Sequence, residues 1–207
     1  MIPAKAPGGG QAGKKLPDIF VVGLGNPEPK YFPTRHNLGF RFIDKLIDKS
    51  ESVKESYFSS KQVQVWQLVC GDTQIMAVKP MTYMNNSGEA IGRLKGKFGS
   101  AAIDRLLVAY DDVSIELGMI RLRTSGSSGG HRGMDSVIAH AKTKDFARLR
   151  LGIGPKPVNM DSADFVLSTF KKSEENAAED MLEKAMSVFS LVLSNGIEYA
   201  ISRMGTV

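Results

Sequence analysis

Residues 19–24, Ile-Phe-Val-Val-Gly-Leu, form a continuous apolar run with no polar alternation. Such a run suits a strand covered on both faces, as in sheets sandwiched between helices. It stops at Gly25-Asn26-Pro27, where glycine tolerates unusual dihedrals and proline ends ladder pairing. A polar loop follows, and then Phe40, Ile43, Leu46 and Ile47 recur at helical spacing. Asn26 is therefore expected at the carboxyl end of a strand, and His36 near the start of the next helix. In open α/β sheets that edge is where ligands bind.

The rest of the chain repeats this alternation. Residues 62–70 and 73–78 read as a hairpin turning at Gly71-Asp72, closed by Lys79-Pro80. Asn86 or Ser87 is placed to cap a helix carrying Ala90, Ile91, Leu94 and Phe98 on one side. Residues 104–110 contain a buried strand running into Asp111-Asp112. Residues 119–123 alternate apolar with basic, which suits a strand with one wet or ligand-facing side. The Gly/Ser-rich loop 124–133 precedes a helix over 134–141, and a strand is expected over 146–153. Residues 165–167 read as a short strand or loop anchor. Ser173 is expected to cap a long helix striped with Ala177, Met181, Ala185, Val188, Leu191 and Val192. The order predicts an α/β fold: a single-domain three-layer sandwich with a mixed central sheet flanked by helices.

At 207 residues and 42% hydrophobic, the chain fits one domain with a full core. We divide it into a flexible N-terminal tail, 1–16, and an α/β domain, 17–207. The tail is rich in Gly, Ala and Lys and lacks the apolar segment of a secretory signal; a remnant of an organelle-targeting segment is the alternative reading. The net charge of +5 is compatible with a polyanionic partner without identifying one. The single cysteine, Cys70, excludes an intramolecular disulfide and a Cys-based zinc site and fits a reducing compartment. No apolar run reaches the length of a membrane-spanning helix.

Two motif matches fail on closer reading. Gly23-Leu24-Gly25 follows a strand, but the third glycine of a dinucleotide fingerprint is replaced by Glu28, and Pro27 and Pro29 oppose an immediate helix. Gly126-Ser127-Ser128-Gly129-Gly130 formally matches G-x-S-x-G, which would make Ser128 a nucleophile. The α/β-hydrolase order then requires Asp and His further on, and only His131 and His140 follow, too close in sequence.

Three histidines remain, with no pair at metal-binding spacing. His140, between two alanines in a helix, reads as structural. His36 stands among polar residues at the sheet edge, where neutral imidazole is the usual base near neutral pH. Asp111, at the end of a buried strand, is placed to fix its tautomer and stabilise an imidazolium. Asn26 and Asn85 sit at two comparable strand-to-helix junctions, where amides orient a substrate or donate to a developing oxyanion.

Taken together these residues resemble bacterial-type peptidyl-tRNA hydrolase. The likeness rests on Val22-Gly23-Leu24-Gly25-Asn26-Pro27, Tyr31, Thr34-Arg35-His36-Asn37-Leu38-Gly39, Lys79-Pro80-Met81-Thr82-Tyr83-Met84-Asn85-Asn86-Ser87-Gly88, Val108-Ala109-Tyr110-Asp111-Asp112, Gly129-Gly130-His131-Arg132-Gly133 and Arg148-Leu149-Arg150-Leu151-Gly152-Ile153-Gly154. It implies a monomeric, cytoplasmic or organellar esterase that needs no metal or cofactor and cleaves peptide from the 3′ ribose of peptidyl-tRNA. By the same resemblance His36 is the general base and Asp111 its orienting partner. Asn26 and Asn85 hold the peptide and the reacting carbonyl. Tyr31, Met84, His131 and Arg132 contact substrate, and Arg123 and Arg150 grip a tRNA phosphate. Arg132 departs from the family pattern, which often has Asn there; Arg donates but cannot accept hydrogen bonds. The alternative reading is a non-catalytic RNA-binding protein on the same fold, since plant organellar splicing factors also resemble this family.

Overall fold

The computed structural model describes residues 16–55 and 59–204. The tail expected over 1–16 therefore lies outside the described residues, apart from Leu16.

One seven-stranded mixed sheet organises the chain, with strand order β2-β3-β4-β1-β5-β7-β6. Its strands are β1 (Ile19–Gly23), β2 (Ser52–Glu55), β3 (Val63–Cys70), β4 (Thr73–Pro80), β5 (Leu106–Glu116), β6 (Ile120–Arg123) and β7 (Ala147–Gly154). β1 is central and pairs in parallel with β4 and with β5; β5 pairs in parallel with β7. The hairpin β3–β4 and the edge strands β2 and β6 are antiparallel. The helices are α1 (Leu38–Asp48), α2 (Gly88–Phe98), α3 (Ala101–Asp104), α4 (Arg132–Ala141), α5 (Ser162–Leu167), α6 (Lys172–Asn195) and α7 (Ile197–Arg203).

Alternate residues of β1 enter two different cores. Ile19 and Val21 join Phe42, Ile43 and Leu46 of α1 and Met181, Leu182, Ala185 and Val188 of α6. Phe20 and Val22 join Ala90, Ile91 and Leu94 of α2 and Met134 and Val137 of α4. This is the three-layer sandwich, and it explains why the first apolar run shows no alternation. Each fully buried Leu, Ile, Val or Phe contributes roughly 1.5–3 kcal/mol, so the two cores fix the sheet edge on which the polar groups sit.

Several local expectations change. β2, polar in sequence, was not anticipated; it is an edge strand held by β3 alone. Residues 165–167 belong to the helix α5, whose first N–H groups are taken by the Asp161 carboxylate. Ser87 occupies the N-cap position of α2 without capping it: its hydroxyl donates back to the Met84 carbonyl, and Ser136 Oγ accepts the Gly88 N–H instead. Ser173 lies inside α6, which begins at Lys172; Glu174 accepts the Lys171 N–H. The buried stripe of α6 runs through Ala178 rather than Ala177 and adds Leu182 and Phe189. α4 starts two residues earlier than expected. Gly25 does not use a positive φ; a Cβ there would lie 2.6 Å from the Phe40 ring, so close packing is what demands glycine.

Candidate active site

The carboxyl ends of β1 and β4 and the middle of β5 meet where the strand order leaves β1 in both directions, the usual place for a ligand crevice. An open cleft of ≈ 570 Å³ lies there, lined by Asn26, Tyr31, His36, Met84, Asn85, Asp111, His131 and Arg132, among others.

Two glycines bring His36 to this edge. A Cβ on Gly39 would lie 2.4 Å from the Ala109 carbonyl oxygen, and one on Gly23 would lie 2.2 Å from the Gly39 oxygen. The first turn of α1 therefore packs backbone to backbone on β1 and β5. His36, in the 3-10 turn just before α1, is set down beside Asp111. Asp111 is not the end of a strand as expected but the point in β5 where its fully buried half gives way to a more exposed half that runs on to Glu116. Asn37 completes the junction: its Oδ1 accepts the Asn26 N–H at 2.8 Å and its Nδ2 donates to the Asn26 carbonyl at 2.9 Å. Asn26 Oδ1 in turn accepts the Met84 N–H at 2.9 Å, tying the loop after β1 to the loop after β4. With that oxygen occupied, the Asn26 amide is oriented as an Nδ2 donor. Asn85 is exposed on the cleft wall beside the buried Met84.

Asp111 is 1% exposed and His36 8%. His36 Nδ1 stands 2.9 Å from each Asp111 oxygen. A carboxylate accepts here, so Nδ1 carries the proton and Nε2 is left as the basic nitrogen. His131 Nε2 is also within reach, 3.1 Å from Asp111 Oδ1. Burial alone pushes the Asp111 carboxyl up, but the two imidazoles outweigh it and hold the group far below the usual carboxylate range.

Sequence spacing gave no close histidine pair, yet the fold places His36 and His131 with their rings 4.9 Å apart. Their nitrogens and an Asp111 oxygen lie within 4.8 Å of one another, a donor set a metal ion can use. The hydrogen-bond pattern opposes it. His131 Nδ1 accepts the Met134 N–H at 3.2 Å, and a metal at Nε2 would require a proton on that same Nδ1.

The remaining site residues divide. Tyr31 and Arg132 line the cleft, Arg132 as the exposed first residue of α4. Arg123 and Arg150 do not line it. Arg150 Nε donates to Asp112 Oδ2 at 2.7 Å and Nη2 to Ser114 Oγ at 3.1 Å. The pairing Arg123↔Arg148 and Arg121↔Arg150 puts four guanidiniums on one face of β6 and β7. Arg148 is the exception, buried at 1%, with Nη1 on the Ser127 carbonyl and Nη2 on the Lys144 carbonyl. It pins the Gly/Ser-rich loop from beneath. Ser128 lines the cleft, but its Oγ accepts the Gly130 N–H, and both site imidazoles engage Asp111 instead. His140 Nδ1 donates to the Ser136 carbonyl on its own helix, a structural contact.

Three supporting residues escaped sequence reasoning: Asn37, Arg35 and Arg148. Arg35 is buried beside His36 and donates to the Thr169 carbonyl and to Glu174, each at 2.6 Å. A polar or charged residue directly flanking an apolar helix start was the available signal for the first two.

Comparison with known proteins places this geometry. The family description "Peptidyl-tRNA hydrolase" matches residues 20–206. The peptidyl-tRNA hydrolase of Kosmotoga olearia is 41% identical over 189 residues, covering 91% of this chain and 98% of that protein. That of Thermotoga sp. strain RQ2 is 44% identical over 184 residues, covering 89% and 95%. The crystal structure of peptidyl-tRNA hydrolase from Acinetobacter baumannii superposes with a TM-score of 0.82 at 30% identity, covering 93% of this chain and 97% of that one.

Proposed function

The chain belongs to the peptidyl-tRNA hydrolase family, and on that premise we propose that it is an esterase releasing peptide from the 3′ ribose of peptidyl-tRNA. The freed tRNA returns to translation. The observation that carries the reading is the hydrogen-bonded pair His36–Asp111 in a cleft that Asn26 and Asn85 also line.

In this mechanism His36 Nε2 takes a proton from water as the oxygen attacks the ester carbonyl carbon. The imidazolium forms against Asp111, whose charge favours it. The amides of Asn26 and Asn85 donate to the oxyanion of the tetrahedral intermediate. Collapse breaks the bond to the ribose 3′ oxygen, which receives the proton held on His36. Tyr31 and Met84 shape the cleft around the peptide, and Arg132 supplies a donor at its rim. Arg123 and Arg150 meet phosphate through their forked guanidiniums, on the arginine-bearing face of β6 and β7. The proton passes from water to the imidazole and on to the ribose oxygen, with the carboxylate and the two amides in support. Residues 17–207 form the acting unit, working as a monomer in the cytoplasm. Among the described residues, no helix is long and apolar enough to cross a membrane.

The test compares hydrolysis of peptidyl-tRNA with that of aminoacyl-tRNA bearing a free amino group. Cleavage of the first and sparing of the second is expected; release from neither overturns the proposal.

A further inference from the structure

We propose that His131 is a positioning residue for Asp111, held in a single tautomer by its second role as the N-cap of α4. N-caps are usually Ser, Thr, Asp or Asn, whose oxygen accepts an early helix N–H. Here the imidazole does this work: Nδ1 accepts the Met134 N–H at 3.2 Å. A neutral imidazole carries one N–H, and an accepting nitrogen cannot bear it. The proton therefore sits on Nε2, 3.1 Å from Asp111 Oδ1.

His36 presents the opposite tautomer to the same carboxylate, donating from Nδ1. Asp111 thus receives a donor from the turn before α1 and another from the cap of α4. These two bonds stop the carboxylate from rotating, so His36 keeps Nε2 free. The His131 ring is itself confined. Tyr110 stands edge-on at 5.1 Å between ring centroids, and a Cβ added at Gly133 would fall 3.0 Å from His131 Cε1. With one nitrogen accepting from the backbone and the other donating to Asp111, His131 has no lone pair to offer water. It acts through Asp111 and leaves the proton transfer to His36.

The kinetic arm of the test rests on the esterase reading; the spectroscopic arm does not. In the 15N-labelled protein, long-range proton–nitrogen correlation at neutral pH should show His131 protonated on Nε2 and His36 on Nδ1. His140→Gln and His131→Asn assign the signals. A proton on His131 Nδ1, on both nitrogens, or exchanging between them overturns the proposal. His131→Asn keeps a capping oxygen but removes the donor to Asp111. In that variant the downfield His36 Nδ1–H resonance should shift, and kcat should fall on the order of 10²-fold with KM little changed. A raised KM with unchanged kcat would instead make His131 a substrate contact. An unmoved His36 resonance would make it a helix cap only. Failure of the wild-type protein to cleave peptidyl-tRNA, with the tautomers as stated, would refute the esterase reading alone.

Discussion

His36 and Asp111 are 75 positions apart in the chain, yet His36 Nδ1 lies 2.9 Å from both oxygens of the Asp111 carboxylate. The carboxylate sits in β5 and the imidazole in the turn before α1, and the close approach of Gly39 to the Ala109 carbonyl of β5 is what allows the two elements to touch. The consequences of that arrangement are open to measurement.

Removing the imidazole removes the base. In single-turnover hydrolysis of peptidyl-tRNA, His36→Ala should lower the rate by ~10²–10⁴-fold, while filter binding shows tRNA affinity retained. Turnover near the wild-type rate would reject His36 as the base.

Asn26 separates a structural oxygen from a catalytic nitrogen. Asn26→Asp keeps an acceptor for the Met84 N–H but replaces the Nδ2 donor with a carboxylate oxygen. We expect a rate loss of ~10²–10³-fold with the melting temperature largely preserved. Asn26→Ala should lose rate and melting temperature together. Full activity in Asn26→Asp would remove the amide from the mechanism.

Acid stability reports on Asp111. Its folded-state pKa is depressed, because the two imidazoles more than offset the burial that pushes it up. A depressed carboxylate adds stability above its unfolded pKa and loses it as pH falls through the folded value. The stability advantage of wild type over Asp111→Asn should therefore be full near neutrality and shrink below about pH 4. Denaturant titrations showing a constant gap through the acid range would contradict this.

Phosphate contacts have a salt signature. Arg123→Ala should raise KM for peptidyl-tRNA and make the fall of log(kcat/KM) with log salt shallower by about 1. An unchanged slope would take Arg123 out of the tRNA footprint.

The clasp between α1 and α6 should matter little by comparison. Lys45 and Lys49 hold the Glu183 carboxyl at a pKa of about 2 through hydrogen bonds, but the cluster is open to solvent and screened. Glu183→Gln should lower the melting temperature slightly in dilute buffer and not at all in ~1 M salt. A large, salt-independent drop would show the clasp to be a structural anchor.

Much of the fold was legible because its signals are local. The unbroken apolar run at 19–24 required cover on both faces, and the structure supplies α1 and α6 on one side and α2 and α4 on the other. The hairpin β3–β4 followed from its turn residues. β2 and the helical state of 165–167 did not show themselves. A polar edge strand exists only because β3 offers it a ladder, and a six-residue helix depends on the Asp161 cap more than on periodicity.

The sequence by itself determined the layers of the sandwich, the junctions after β1 and β4 where Asn26 and Asn85 stand, and the chemical kinds of group gathered there; Asp111, expected at a strand end, lies in the middle of β5, which runs on to Glu116. Periodicity and turn chemistry act over a few residues, so they can be read in order along the chain. Only the tertiary structure decided that His131 shares the Asp111 carboxylate with His36, that Arg148 is buried beneath the Gly/Ser-rich loop while Arg150 is held by Asp112, and that Asn37 clamps the backbone of Asn26. Those pairings depend on where distant strands come to lie against one another. Hydrogen-bond partners and tautomers are chosen by atoms within about 3 Å, and no spacing along the chain records which atoms those will be.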